Sequence, residues 1–202
     1  VSATRAPVAP GSEDRGSPGA RIDRSASNGR AAGPGDASET AVLTRAYVGI
    51  GANLGDPRSA VEGALAALGR LPATRCTVRS SLYRSAPVDA TGPDYVNAVA
   101  AVDTRLPAEA LLARLHEIEQ AGGRERPYRN APRTLDLDLL LWGERVCATP
   151  TLVLPHPRLH LRAFVLEPLA EIAPDLRIPG LGPIAAWRDR ARDQVVERVP
   201  PD

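Results

Sequence analysis

Asp136 and Asp138 stand two residues apart in the stretch RTLDLDLLLWG, residues 133–143. Read as a strand, the stretch alternates: Leu135, Leu137, Leu139 and Leu141 share one face, and Thr134, Asp136, Asp138, Leu140 and Trp142 the other. The two carboxylates are then carried on Cα atoms roughly 6 to 7 Å apart and repel one another unless a cation joins them. Arginine salt bridges at an exposed sheet edge are one solution. Leucine at nearly every neighbouring position predicts a central strand instead, and with it a magnesium site, because magnesium takes few protein carboxylates and keeps places for phosphate oxygens.

Arg124, Arg126, Arg129 and Arg133 lie just upstream, in a stretch whose glycines and prolines predict a loop. A solvated charged loop is one reading. Beside paired carboxylates, four guanidiniums also suit a nucleoside triphosphate and its metal, since arginine binds phosphate oxygens bidentately and keeps its charge. All 25 basic residues of the chain are arginine. The absence of lysine excludes a Walker-type phosphate loop and Schiff-base catalysis.

Downstream, His156 and His160 are four apart, but Pro157 disfavours helical geometry at His156 and no third zinc ligand is evident. His156 and Arg162 read better as donors to phosphate or adenine. Phe164, the one Phe of the chain, fits either a core position or a platform for a flat ring. Gly49, Gly51 and Gly55 superficially resemble a dinucleotide loop, yet the next strand offers no acidic residue for a ribose, so tight turns are their expected use.

The elements that must position these groups follow from periodicity. Residues 45–51 read as a short buried strand. Residues 56–72 read as a helix, with Asp56 as N-cap, Pro57 in the first turn, and Val61, Ala64, Leu65 and Leu68 as its apolar stripe. Residues 74–85 alternate as one strand, and residues 94–104 as another with Val96, Ala98, Ala100 and Val102 on one face. A second helix over 106–123 starts at Pro107 and ends at Gly122 and Gly123. The leucine-rich strand comes next, then a short helix within 161–174 and a helix and short strand within 185–199. The order strand, helix, strand, strand, helix, strand predicts an α+β fold, the ferredoxin-like (split βαβ) antiparallel sheet, with helices on one face.

Residues 1–41 are rich in Gly, Pro, Ser and Ala and contain no aromatics. Such a segment cannot bury enough apolar surface to offset its ordering entropy and is expected to be a disordered tail. The folded domain is expected over 42–202. A net charge of +1 on 202 residues gives no bulk signature of a nucleic-acid or membrane partner. Cys76 and Cys147 match no zinc or redox spacing, so reduced, mostly buried thiols in a cytoplasmic setting are expected. No apolar run is long enough to cross a bilayer.

The motifs YVGIGANLGD, PDYVNAV, IEQAGGRERPYRNAPRTLDLDLLLWG and LPHPRLHLRAFVLEPLAEIAP, in that order over residues 46 to 183, resemble the 6-hydroxymethyl-7,8-dihydropterin pyrophosphokinase family. The resemblance implies transfer of pyrophosphate from ATP to the hydroxymethyl group of the pterin, with AMP released, in folate biosynthesis. It implies a monomer acting on two small molecules. Asp136 and Asp138 match the ligands of two magnesium ions. Ser85, Val88, Tyr95, Asn97 and Phe164 match pterin-binding positions. Glu119, Arg124, Arg126, Arg133, Leu139, His156 and Arg162 match ATP-binding positions, and Arg124 and Arg133 count with the two aspartates as catalytic. The 124–133 loop is expected to close over ATP. Many relatives carry Trp-Gly where this chain has Asn130-Ala131, which leaves Arg129 without an assigned role.

Two other classes are weighed. An RNA-binding ferredoxin-like module needs aromatics on its central strands, where this chain has carboxylates. A non-catalytic nucleotide or metal sensor would bind ATP without turning it over.

Overall fold

The computed structural model describes residues 42–87, 92–122 and 135–200. The expected tail, Val88 and the arginines at 124, 126, 129 and 133 lie outside the described residues. Five strands form the body of one sheet: β1 (Thr44–Ala52), β2 (Thr74–Arg79), β3 (Tyr83–Ser85), β4 (Tyr95–Thr104) and β5 (Asp136–Trp142). The order is β3-β4-β1-β5, every neighbouring pair is antiparallel, and β2 pairs with β4 in line with β3. The C-terminal strand Val196–Arg198 adds itself to the free side of β3. This is the split βαβ arrangement expected from the element order.

The single strand expected over 74–85 is broken at Ser80. There the backbone N–H of Ser80 donates to the Val99 carbonyl, and the Val99 N–H donates to Ser80 Oγ. A hydroxyl thus takes the place of a ladder carbonyl, and the chain kinks before pairing resumes at Tyr83.

Helices α1 (Pro57–Leu68) and α2 (Ala108–Ala121) pack on one face. Asp56 caps α1 by accepting the Ser59 N–H at 3.1 Å, and the expected stripe of Val61, Ala64, Leu65 and Leu68 is buried. These side chains meet Val48, Ile50, Ala100, Val102, Leu135, Leu137 and Leu139 from the sheet and Leu111 and Leu115 from α2. The expectation that helices cover only one face is corrected. α3 (Ala163–Ile172) and α4 (Ile184–Ala191) build a second core on the opposite face with Val99, Leu140 and Leu141.

Two features of the leucine-rich strand also differ from expectation. Among the described residues β5 is an edge strand, paired only with β1, and its leucines are buried because both of its faces are covered. Its outer backbone groups find other partners: the Leu137 N–H donates to Glu119 Oε1 at 2.9 Å, and the His156 N–H donates to the Leu140 carbonyl at 2.9 Å. A β-bulge at Leu140 also inverts the alternation. Leu141 therefore joins the second core, while Trp142 packs against the first and donates its indole N–H to the Leu106 carbonyl.

Cys76 and Cys147 are free, half-buried thiols, and burial pushes the Cys76 thiol above its usual pKa. Among the described residues no helix is long and apolar enough to cross a membrane.

Candidate active site

The sheet face that α3 covers stays open at one end, forming a cleft of about 460 Å³. Its floor is a set of cross-strand rows. Asn97, Gly51 and Asp136 stand side by side on β4, β1 and β5, and Val99, Gly49 and Asp138 form the next row. Each carboxylate therefore has a glycine as its neighbour on β1, and no β1 side chain fills the space beside it. Gly49 and Gly51 are strand residues, contrary to the expected tight turns; of the three glycines only Gly55, at φ +65°, sits in a left-handed turn. Core-facing Val48 and Ile50 fix their direction by alternation.

One end of the floor is amide-rich. Asn97, 4% exposed, donates its NH₂ to Ser85 Oγ at 3.0 Å and to the Tyr83 carbonyl at 3.4 Å. A carbonyl can only accept, so the amide nitrogen points toward β3 and the oxygen is left on the Gly51 side. Ser85 and Tyr95 line the same end. Phe164, in the first turn of α3, stands over the cleft with its body packed against the second core. Its position is thus that of a core residue whose ring also borders the cleft.

The other end is charged. Asp138 Oδ1 lies 3.9 Å from His156 Nε2, and Asp138 Oδ2 lies 4.0 Å from Arg162 Nη1. The Arg162 guanidinium also sits 5.4 Å from the centre of the Phe164 ring, a cation–π distance that links the two ends. Burial pushes the His156 pKa below its ordinary value; the Asp138 charge opposes this and Arg162 reinforces it. His156 Nδ1 accepts the Arg158 N–H at 3.3 Å, so the neutral ring carries its proton on Nε2, the nitrogen nearer Asp138.

The donor set suits magnesium. Asp136 and Asp138 offer hard oxygens on one face of one strand, partly open to solvent, with bare glycines beside them. Among the described residues no group of three His, Cys, Asp or Glu is gathered as a closed cage would need. A site with two carboxylates and room for other oxygens is what magnesium with a phosphate ligand requires.

The structure thus brings Ser85, Tyr95, Asn97, Asp136, Asp138, Arg162 and Phe164 into one cleft, with His156 against Asp138. It places Glu119 and Leu139 elsewhere: both are buried on the α2 side of β5, where Glu119 holds the Leu137 N–H and Leu139 fills the first core. His160 turns away and meets Trp187 edge-on, with ring centres 4.6 Å apart. Arg158 and Leu161 also line the cleft, although motif reasoning passes over them. The signal for Arg158 was its place between His156 and Arg162, in a segment already assigned to phosphate.

The model of the family described as 7,8-dihydro-6-hydroxymethylpterin-pyrophosphokinase matches residues 47–174. The chain belongs to this family. A pyrophosphokinase relative from Pseudomonas aeruginosa, named for 2-amino-4-hydroxy-6-hydroxymethyldihydropteridine, is 50% identical over 139 residues, covering 68% of this chain and 86% of the relative. One of the same name from Haemophilus influenzae is 44% identical over 138 residues, with coverage of 68% and 86%. Among solved structures, Plasmodium falciparum HPPK-DHPS matches with a TM-score of 0.60 at 12% identity. That match covers 76% of this chain but only 45% of the larger one, and it speaks for the fold alone. The pyrophosphokinase family match spans all of the described cleft, from Gly49 to Val165.

Proposed function

We propose that residues 42–202 transfer pyrophosphate from ATP to the hydroxymethyl group of 6-hydroxymethyl-7,8-dihydropterin, releasing AMP, as a step of folate biosynthesis. The observation that carries this reading is the two-ended floor. An oriented carboxamide with an aromatic ring above it lies in the same cross-strand rows as two carboxylates beside bare glycines. A flat, hydrogen-bonding heterocycle suits the first end, and a metal-bound phosphate chain the second.

In this reading Asn97 accepts from the ring's amino or N–H groups, Phe164 covers one ring face, and Ser85 and Tyr95 border it. Asp136 and Asp138 would hold two magnesium ions. When bound, they supply positive charge to the phosphate oxygens. Arg162 and the N–H of His156 face the same charge from the wall. The resemblance assigns Arg124, Arg126 and Arg133 to the triphosphate as well. The hydroxyl oxygen of the pterin forms a bond to the β-phosphorus, and the bond from that phosphorus to the oxygen bridging to the α-phosphate breaks. The row that Asp136 shares with Asn97 supports Asp136 as one candidate acceptor of the hydroxyl proton. Holding both substrates in line on a rigid sheet supplies much of the rate.

The reading sets the reaction in the cytoplasm, where ATP is available. The test is product analysis with Mg-ATP and the pterin. Pterin-dependent AMP, matched by pyrophosphorylated pterin, is expected. ADP in place of AMP would refute the reading, and bound but unconverted ATP would favour a sensor. Asp136→Asn is expected to abolish turnover in a folded protein; near-normal turnover would refute the metal assignment.

A further inference from the structure

Gly51 is the penultimate residue of β1 but is paired on both sides, with Asn97 of β4 and Asp136 of β5, and glycine at a paired strand position commonly marks a close approach by something else. Its backbone does not explain the choice: it is not among the glycines of positive φ. Crowding by the protein explains it only at one atom. A Cβ added at Gly51 would meet Asn97 Oδ1 at 3.2 Å, and no other atom of the described residues within 4 Å. Gly49 differs, because a Cβ there would meet the end of the Leu140 side chain, with Cδ2 at 3.3 Å, and that end can shift.

Asn97 has no comparable freedom. Its NH₂ is held by Ser85 Oγ and the Tyr83 carbonyl, and the residue is buried. A methyl at position 51 would press on the carboxamide oxygen, and any swing away would stretch the two bonds that orient it. The same methyl would occupy the floor between Asn97 and Asp136, the two residues that flank Gly51 across the ladder.

We propose that Gly51 is a positioning residue for the pterin: its bare α-carbon lets Asn97 present Oδ1 to the cleft and keeps the floor flat between the amide end and the carboxylate end. The inference rests on the functional reading above, since it takes Asn97 as a pterin acceptor.

The test is a double-mutant cycle in the full chain with Gly51→Ala, Asn97→Ala and the pair. Affinity for 6-hydroxymethyl-7,8-dihydropterin is measured by fluorescence titration with magnesium and a saturating non-hydrolysable ATP analogue. Affinity for the analogue is measured separately. Gly51→Ala is expected to weaken pterin binding at least tenfold while analogue binding stays within twofold. In the Asn97→Ala background the same substitution is expected to cost less than twofold. Pterin binding by Gly51→Ala within twofold of the unmodified chain would overturn the inference. So would an undiminished penalty in the Asn97→Ala background, or a parallel loss of both ligands. Asn97→Ala leaves β1 unaltered and must by itself weaken pterin selectively; equal binding would overturn the inference without help from the Gly51 variant. An unmodified chain that binds no pterin would instead overturn the functional reading.

Discussion

Glu171 is the place where one substitution should loosen three elements at once. From α3 its carboxylate accepts the Ser81 N–H at 2.9 Å, the Ser81 hydroxyl at 2.8 Å, the Tyr83 hydroxyl at 3.1 Å and Arg198 Nη2 at 2.8 Å. These donors lie at the β2–β3 kink, on β3 and on the C-terminal strand. Arg198 is mostly exposed and contributes little. The three remaining hydrogen bonds to a partly exposed carboxylate put the cost of Glu171→Ala at about 2 kcal/mol. For a domain of this size that lowers the melting temperature by about 4 to 8 °C. A second readout is Tyr83, whose phenol is pushed up to about 12, first by burial and then by its hydrogen bond to Glu171. A raised folded-state pKa favours the neutral phenol, so this stabilisation is complete below the ordinary value of 10 and is lost as pH rises through about 12. Calorimetry across that window should show the unmodified chain losing more stability than Glu171→Ala, and absorbance titration should show a phenolate appearing at lower pH in the variant. A loss under 1 kcal/mol with an unchanged phenolate titration would refute the reasoning.

Arg158→Ala should raise the KM for ATP about tenfold, equivalent to about 1.4 kcal/mol, with kcat within about twofold, because this exposed cation lines the cleft and belongs to no carboxylate among the described residues. Steady-state kinetics at two salt concentrations checks it, and the difference should shrink at high salt. Asp138→Asn should weaken magnesium-dependent nucleotide binding while leaving the fold intact, read by titration and circular dichroism. Asp56→Ala removes the cap that holds the Ser59 N–H and should lower the midpoint of urea unfolding without changing its slope. Leu111→Ala, at a fully buried position of the first core, should cost about 3 kcal/mol in the same assay.

The two helices that follow β1 and β4 were legible because their apolar stripes and end signals agree: Asp56, Pro57 and the 61–64–65–68 stripe all point to one helix, and the structure buries all four side chains. The split βαβ arrangement was legible because the order strand, helix, strand, strand, helix, strand admits few topologies. Three details carried no such signal. Leucine at 139, 140 and 141 is the same residue on either side of the bulge, so composition cannot reveal where the phase inverts. Leucine content reports how well a strand's faces are covered, not whether both of its edges are paired, which is why β5 reads as central and lies at the edge. The break at Ser80 depends on a hydroxyl replacing a carbonyl in the ladder, a substitution visible only once Val99 is known to lie opposite. Motifs pointed to Asp136, Asp138, Asn97 and Phe164, and these four residues line one cleft. Glu119 and Leu139 share those motifs but point into the protein, because a motif records which residues recur together and not which face each occupies.

The edge position of β5 has a mechanical consequence for the two carboxylates. A central strand is fixed by ladders on both sides; β5 has one ladder and two substitutes. Glu119 holds its backbone at Leu137, and the main chain of His156 holds it at Leu140, so the two anchors bracket Asp138. The second anchor belongs to the segment that also carries the His156 ring and Arg162, both within 4.0 Å of the Asp138 carboxylate. Floor and wall are therefore joined twice, once through the backbone and once through charge. A rigid movement of the His156 segment away from the sheet must therefore break the His156–Leu140 bond as it draws the imidazole from Asp138, so the backbone bond and the charge contact hold the same segment against the floor.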